Sequence, residues 1–454
     1  MKKTLYLFIP LVIICLLMRC GNGNRNQGEG NVVSPDTTGA FLQEDTVKPV
    51  INVYIENSGS MDGYVHGNTE FKGAIRDLLV LLKHYYGQEE KIKVYFINTI
   101  IRETDTKVDL ATFAENINAY WKDVRDDRSS SKLNDVFKMI LNKADKETIS
   151  ILFSDCIYSI NGKDAEGLLS DQKSLTKDAF LSRWRLDSLK LATTIVKMKS
   201  KFNGIYYDKD NVRTQLNGEE RPYYICVIGN NDVMNNFNAK IPLEKKRDDG
   251  HGIEGFDNKY IISTGTANTI YYSVLLATGN TGRFKPSRKE STKTYIHGIE
   301  NVDTKIKSRN GSGDNKFTFA VAVDLKNVAA EEDYLTNPKN YMLGDNNFRV
   351  KEIKPIDKND INASDWLRIS HASPTHLILL EATGTAISNV KVYLKKQMPQ
   401  WIEQTNIIDD KNIRKNLDKT FGIKYLIEGI AEAYQIIYPN DKNFFEFEIK
   451  INNK

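Results

Sequence analysis

Apolar and polar positions alternate in blocks from residue 48 onward, and the blocks predict strands and helices in turn. Short continuous apolar runs are typical of strands buried on both faces, whereas apolar residues three and four positions apart predict helices. The predicted strands are 49–55, 91–101, 148–156 and 222–230. The predicted helices are 69–87, 110–124, 131–144, 176–202 and 232–241. This alternation predicts an α/β fold with a doubly wound, mostly parallel sheet that carries helices on both faces.

The pattern changes after residue 242, where the polar, glycine-rich stretch KKRDDGHGIEGFDN marks a predicted domain boundary. Strand-like runs then follow without a long helical pattern between them, and a helical pattern precedes the last run. The runs are 270–278, 317–325, 376–384, 389–396 and 444–452, and the helix is 419–437. We therefore expect an α/β domain at 48–242 and a β-rich, sandwich-like domain with a C-terminal helix at 243–454.

The first 20 residues have a different character. A short basic start precedes an apolar run of 15 residues, which is shorter than the roughly 20 residues of a membrane span and typical of a secretory signal. Cys20 follows directly, so the segment resembles a bacterial lipoprotein signal lipidated at Cys20, although Arg19 stands where that pattern has a small residue. An uncleaved N-terminal anchor is the alternative. Residues 21–47, rich in glycine and polar residues, are predicted to be a flexible tether.

These features predict a lipid-anchored protein of the bacterial cell envelope, either periplasmic or surface-exposed, that contacts the membrane through its anchor. With 40% apolar and 27% charged residues, the chain has the composition of a folded protein rather than a disordered one. Excluding Lys2, Lys3 and Arg19 lowers the net charge from +4 to +1, so we expect no nucleic-acid partner. Cys156 and Cys226 lie in apolar runs and are predicted to be buried free thiols.

Three short polar stretches occur where ligand sites of such sheets form, outside the carboxyl ends of the strands. Glu56, Ser58 and Ser60 follow the first predicted strand with the spacing acid-x-Ser-x-Ser. Ser131 precedes a predicted helix, with Ser129 and Ser130 as alternatives, and Asp155 follows the third strand. Taken alone, the first stretch is equally compatible with a turn or a helix cap.

Together the three stretches resemble the von Willebrand factor A-type domain over roughly residues 48–242. That family carries Asp-x-Ser-x-Ser after its first strand, a threonine or serine in a second loop and an aspartate in a third. The resemblance implies a metal-ion-dependent adhesion site for Mg²⁺, or Mn²⁺ or Ca²⁺, that docks an Asp or Glu of a protein partner. Its ligands here would be Glu56, Ser58, Ser60, Ser131 and Asp155.

Glu56 departs from the family pattern, which has aspartate at this position. Its extra methylene either brings the carboxylate into direct coordination of the ion or displaces the ion altogether. The following loop, MDGYVHGN, adds Asp62, Tyr64 and His66 as candidates for the rim of a partner surface, with an ordinary solvated loop as the alternative.

The predicted function is therefore that of a membrane-anchored binding protein and not an enzyme. A divalent-metal-dependent hydrolase is one alternative, for which Asp62 and His66 are the candidates for a general base. An envelope-assembly scaffold with a silent metal site is the other.

Overall fold

The structure is a computed structural model that describes most of the chain from residue 48 to residue 452. The described residues are 48–87, 91–104, 112–113, 116–117, 128, 132–160, 162–263, 270–304, 316–326, 328, 330–344, 346–384 and 387–452. The predicted signal, Cys20, the tether and most of the predicted helix 110–124 lie outside them. Within these ranges, no helix combines the length and the apolar character needed to cross a membrane.

Eighteen strands are present in the described residues. They are β1 Val50–Glu56, β2 Ile92–Ile97, β3 Ile101–Glu103, β4 Thr148–Ser154, β5 Leu191–Tyr207, β6 Arg213–Asn230, β7 Phe256–Ser263, β8 Tyr272–Val274, β9 Arg283–Pro286, β10 Gly298–Asp303, β11 Thr318–Val323, β12 Tyr341–Leu343, β13 Phe348–Pro355, β14 His376–Ala382, β15 Val390–Lys395, β16 Asn406–Ile407, β17 Thr420–Phe421 and β18 Asn443–Asn452.

The described α-helices occur in both halves of the chain. They are α1 Asp62–Val65, α2 Glu70–Tyr86, α3 Leu133–Leu141, α4 Ala165–Asp187, α5 Asn231–Lys240, α6 Glu332–Leu335, α7 Ala363–Ile369, α8 Gln400–Thr405 and α9 Ile423–Ile437. Single turns of 3₁₀ helix occur at Gly59–Met61, Pro338–Asn340, Lys358–Asp360, Ser370–Ala372 and Ile413–Lys415.

The main sheet has seven strands in the order β3-β2-β1-β4-β6-β5-β7. Strand β1 is the third strand in this order and runs parallel to both of its neighbours, β2 and β4. The remaining neighbours, β2–β3, β4–β6, β6–β5 and β5–β7, are antiparallel. The sheet is therefore mixed, which corrects the prediction of a mostly parallel sheet. The α/β class is confirmed.

Helices cover both faces of this sheet because successive side chains of a central strand point to opposite sides. Val53 and Ile55 of β1 pack in the hydrophobic cluster that contains α2, whereas Tyr54 packs in the cluster that contains α3, α4 and α9. Every residue of β4 is buried, as expected for a strand covered on both faces. Helix α2 ends at Gly87, whose positive φ of 62° closes its last turn.

The predicted helix 176–202 is wrong in its second half. Helix α4 ends at Asp187, Ser188 follows with a left-handed φ of 55°, and the chain then enters β5. Thr193, Thr194, Ile195 and Val196 are β-branched and all buried. Such residues lose side-chain freedom in a helix and pack well in a strand with neighbours on both sides, which β6 and β7 supply here.

The β-rich part of the chain contains two further sheets and a short two-stranded one. The four-stranded sheet has the order β13-β14-β11-β8 and is antiparallel, whereas the five-stranded sheet, β12-β15-β18-β10-β9, has one parallel pair, β10 and β18. Buried side chains of both sheets, including Val321 and Phe445, form one hydrophobic cluster. Strands β16 and β17 form a parallel pair of their own.

Elements beyond residue 242 also contribute to the main sheet. Strand β7 is its last strand, and α9 packs against α4 over one of its faces. Phe180 of α4 meets Tyr434 of α9 edge to face, with ring centroids 5.7 Å apart. The sheet and its helical cover thus extend across the predicted domain boundary, which itself remains a prediction.

Candidate functional site

Two of the predicted polar stretches meet at one edge of the main sheet. Glu56 is the last residue of β1, and Ser58 leads into the 3₁₀ turn Gly59–Met61. Asp155 follows directly after β4, the parallel neighbour of β1. Because the carboxyl ends of parallel neighbours share an edge, residues 99 positions apart in the chain come together there.

Glu56 connects the two strands through its side chain. It is 3% exposed, and its two carboxylate oxygens accept hydrogen bonds from different serines. Oε1 accepts from Ser58 Oγ at 2.9 Å and Oε2 from Ser154 Oγ at 2.5 Å. Ser60 Oγ lies 3.0 Å from Ser58 Oγ. The acid, the three hydroxyls and the ends of both strands therefore form one polar cluster.

Asp155 is also buried, with 4% of its surface exposed. Its Oδ1 accepts a hydrogen bond from the main-chain N–H of Ile157 at 3.2 Å. Burial and the negative charge of Glu56 raise the pKa of Asp155 to about 7, against hydrogen bonds from Ser60 and Ile157 that act in the opposite direction. Two carboxyl groups held this close out of water repel each other when both are ionised, and a cation between them would remove that cost.

The chemistry of the donors fits a hard divalent cation. Carboxylate and hydroxyl oxygens are the ligands that Mg²⁺ and Ca²⁺ take, and nitrogen and sulfur ligands are not needed. Glu56, Ser58, Ser60 and Asp155 would hold the ion, and Ser131, the fifth predicted ligand, lies outside the described residues together with Ser129 and Ser130. In the described part of the chain, no group of three or more His, Cys, Asp or Glu is arranged to hold a metal, so this site depends on hydroxyl ligands.

Arg128 fixes the loop that carries the two serines. Its Nε donates to the carbonyl of Asn57 at 2.6 Å, and its own carbonyl accepts from the N–H of Gly59 at 2.9 Å. The guanidinium also pairs with the carboxylate of Asp62. Asn57 is held from the other side, where Asn98 Nδ2 donates to its Oδ1 at 3.0 Å. The serine loop is thus anchored on both sides.

The predicted rim residues have different environments. Asp62 is engaged by Arg128, and His66 is exposed, with Nδ1 3.2 Å from the carbonyl of Asn203. Tyr64 is 1% exposed, packs its ring against Phe202 and donates its hydroxyl to the carbonyl of Pro222 at 2.5 Å. Tyr64 is therefore a core residue, which corrects its assignment to the rim.

A cleft of about 490 Å³ opens beside the cluster. Its floor contains Glu56, Ser58, Ser60 and Asp155, and one wall is the loop after β4. A second wall is the turn of the long hairpin formed by β5 and β6. The lining residues in that turn are Tyr207, Asp208, Lys209, Asn211 and Arg213.

The two thiols lie directly behind the site. Cys156 and Cys226 are fully buried and free, as predicted, with their sulfur atoms 3.9 Å apart. Burial and the neighbouring Cys226 raise the pKa of Cys156 well above its usual range. The Cys156 thiol is therefore neutral and offers no thiolate to a metal at ordinary pH.

Several residues of the site were not predicted from the sequence. Ser154 stands next to Asp155, and its position at the end of a strand was a usable signal. Arg128 lies in the charged stretch RDDRSSSK, which gives no indication that its guanidinium reaches back to Asn57. The hairpin wall is not predicted from the sequence, because the pattern of residues 191–202 favours a helix where the structure has the first part of β5.

Comparisons with protein-family models, with curated proteins and with solved structures found no match to this chain.

Proposed function

We propose that the chain is an envelope-anchored binding protein that uses a divalent cation at Glu56, Ser58, Ser60 and Asp155 to dock an acidic group of a protein partner. The observation that carries the proposal is the burial of Glu56 and Asp155 side by side, with serine hydroxyls, on the floor of an open cleft. The motif at the end of a central strand and Asp155 at the end of its parallel neighbour are the placements that a von Willebrand factor A-type domain implies.

The hydrogen bonds around Glu56 favour this use of the site. Ser58 and Ser154 donate their hydroxyl protons to its carboxylate, so the lone pairs of Ser58 remain available to a cation. Neutral hydroxyl ligands neutralise less of the ion's charge than carboxylates do. An ion held in part by hydroxyls therefore retains attraction for an anionic oxygen from outside the chain.

The two candidate bases of the hydrolase alternative do not line the cleft. Asp62 and His66 are absent from the lining of the cleft in the described residues, and Asp62 is paired with Arg128. A general base has to be within hydrogen-bond reach of the proton that it removes. We therefore retain the binding function.

Lipid anchoring at Cys20 belongs to the same proposal and depends on the N-terminal pattern alone.

Calorimetric titration of Mg²⁺ into the full chain in detergent tests the metal site. We expect about one ion bound per chain and at least a tenfold loss of affinity in the Ser58→Ala, Asp155→Ala double variant, because a hydroxyl and a carboxylate ligand are removed. Ser182→Ala, an exposed serine on α4, is the control and should bind as the unmodified protein does. Absence of Mg²⁺, Mn²⁺ and Ca²⁺ binding to the unmodified protein would refute the proposal and favour a scaffold with a silent site.

A further inference from the structure

The cleft beside the proposed metal site is larger than one carboxyl group needs. Its volume is about 490 Å³, which lies in the range of roughly 300–1,000 Å³ that small-molecule sites have. A water molecule accounts for only about 30 Å³ of liquid volume, and a carboxyl group is of similar scale. The cleft therefore has room for side chains on either side of a group bound to the ion.

The hairpin wall of the cleft is a fixed surface. Asp208 Oδ1 accepts from the N–H groups of Asp210 and Val212 at 2.9 and 2.8 Å, which closes the turn. From the C-terminal part of the chain, Asp410 accepts from the N–H of Lys209 at 3.0 Å and from the hydroxyl of Tyr206 at 2.5 Å. The wall is thus held both by its own turn and by a distant segment.

Of the three cations that line the cleft, one is not neutralised by the described residues. Arg128 pairs with Asp62, and the ammonium of Lys209 lies 3.1 Å from Asp210. Arg213 is exposed and has no carboxylate within 4.0 Å in the described part of the chain. Its guanidinium lies over the ring of Tyr207, with 5.6 Å between the guanidinium carbon and the ring centroid. A cation–π contact of this kind attracts the guanidinium to the face of the ring and does not use its N–H groups as hydrogen-bond donors.

We propose that Arg213, which lies over the ring of Tyr207, forms a second anion subsite, and that the partner is an acidic peptide segment with two or more neighbouring carboxylates. One carboxylate would bind the ion and a second would accept hydrogen bonds from Arg213 across the cleft. Arginine is suited to this role because its planar fork can bind a carboxylate through two N–H groups. This inference rests on the proposed function and adds the chemistry of the partner.

The test compares two labelled peptides by fluorescence anisotropy, using the full chain with saturating Mg²⁺. The first peptide is tetraglutamate, and the second has one glutamate among three glycines. We expect the unmodified protein to bind tetraglutamate more tightly. Arg213→Gln should weaken tetraglutamate binding about fivefold, the upper range for one exposed ion pair, and leave the single-glutamate peptide unchanged. Arg213→Lys should retain part of the preference, because it keeps the charge without the fork.

Arg185→Gln is the matched control, since Arg185 is an exposed arginine on α4 outside the cleft lining. Equal binding of tetraglutamate by the Arg213→Gln variant and the unmodified protein, with chelator-sensitive binding of both peptides, would overturn the second subsite and leave the proposed function intact. If neither peptide shows chelator-sensitive binding to the unmodified protein, both the proposed function and the second subsite fail.

Discussion

At the scale of single residues, the extra methylene of Glu56 explains how the cluster is built. The carboxylate reaches Ser58 in its own loop and Ser154 at the end of the neighbouring strand, so one side chain ties β1 to β4 at the candidate site. Because both of its oxygens accept hydrogen bonds from hydroxyls, Glu56 leaves the oxygen lone pairs of Ser58 available to a cation. The acid that departs from the family pattern thus has a defined structural role.

Asp155 gives the first prediction, because its carboxyl is buried with a pKa of about 7 in the folded chain. In the unfolded chain its pKa is near 3.9, so between about pH 4 and pH 7 folding requires proton uptake and stability falls as pH rises. Without metal, the unmodified protein should therefore lose roughly 3 kcal/mol between pH 5 and pH 8 relative to Asp155→Asn. Urea unfolding in chelator at both pH values measures the difference.

Two further comparisons test whether Asp155 causes this pH dependence. Asp178→Asn removes an exposed carboxyl from α4 and should not change the pH dependence. Mg²⁺ at pH 8 should stabilise the unmodified protein and not Asp155→Asn, since the cation replaces the missing proton. If the stability of the unmodified protein and that of Asp155→Asn depended on pH in the same way, the raised pKa of a buried Asp155 carboxyl would be contradicted.

At the scale of elements, the sequence predicts the strands and helices whose local residue pattern favours the same structure as their surroundings in the fold. Strands β1 and β4 are short apolar runs buried on both faces, and α2 combines helical spacing with a terminal glycine. Strand β5 fails this rule, because its apolar residues fit a helix equally well until β6 and β7 pair with it. The same limit applies to the site: Glu56 and Asp155 stand at strand ends, whereas the hairpin wall depends on pairing that no local pattern reveals.

The pairing of β5 with β7 can be tested through one ion pair. Lys197 of β5 is 7% exposed, and its ammonium lies 2.9 Å from the carboxylate of Asp257 in β7. Asp257→Asn leaves that buried ammonium without its counter-ion and should lower the free energy of unfolding by about 3 kcal/mol. Lys199 pairs with the same carboxylate from a more exposed position, so Lys199→Gln should cost less than about 1 kcal/mol. Urea unfolding that gives equal costs for both variants would contradict the burial of this pair.

At the scale of the whole molecule, the C-terminal segments complete the core of the N-terminal sheet. The hydroxyl of Tyr434 on α9 lies 2.7 Å from that of Thr193 on β5, and Tyr224 on β6 donates to Thr420 at 3.0 Å. Arg221, 1% exposed, donates to the carbonyls of residues 416, 417 and 419. A chain limited to residues 48–242 would leave these polar side chains and one apolar face of the main sheet exposed. The C-terminal half of the chain therefore stabilises the sheet whose edge carries the candidate site.

A substitution at Leu426 tests whether the main sheet depends on the C-terminal helix. Leu426 is fully buried on α9 among residues of α4 and the main sheet. Leu426→Ala removes apolar contacts and leaves a cavity, so it should lower the free energy of unfolding by about 2–5 kcal/mol. Ile436, 57% exposed on the same helix, is the control, and Ile436→Ala should change stability by no more than about 0.5 kcal/mol. Since α9 and the sheet share one core, urea unfolding followed by far-ultraviolet circular dichroism and by tryptophan fluorescence should shift equally in Leu426→Ala. A shift confined to one signal would contradict unfolding of the chain as one cooperative unit.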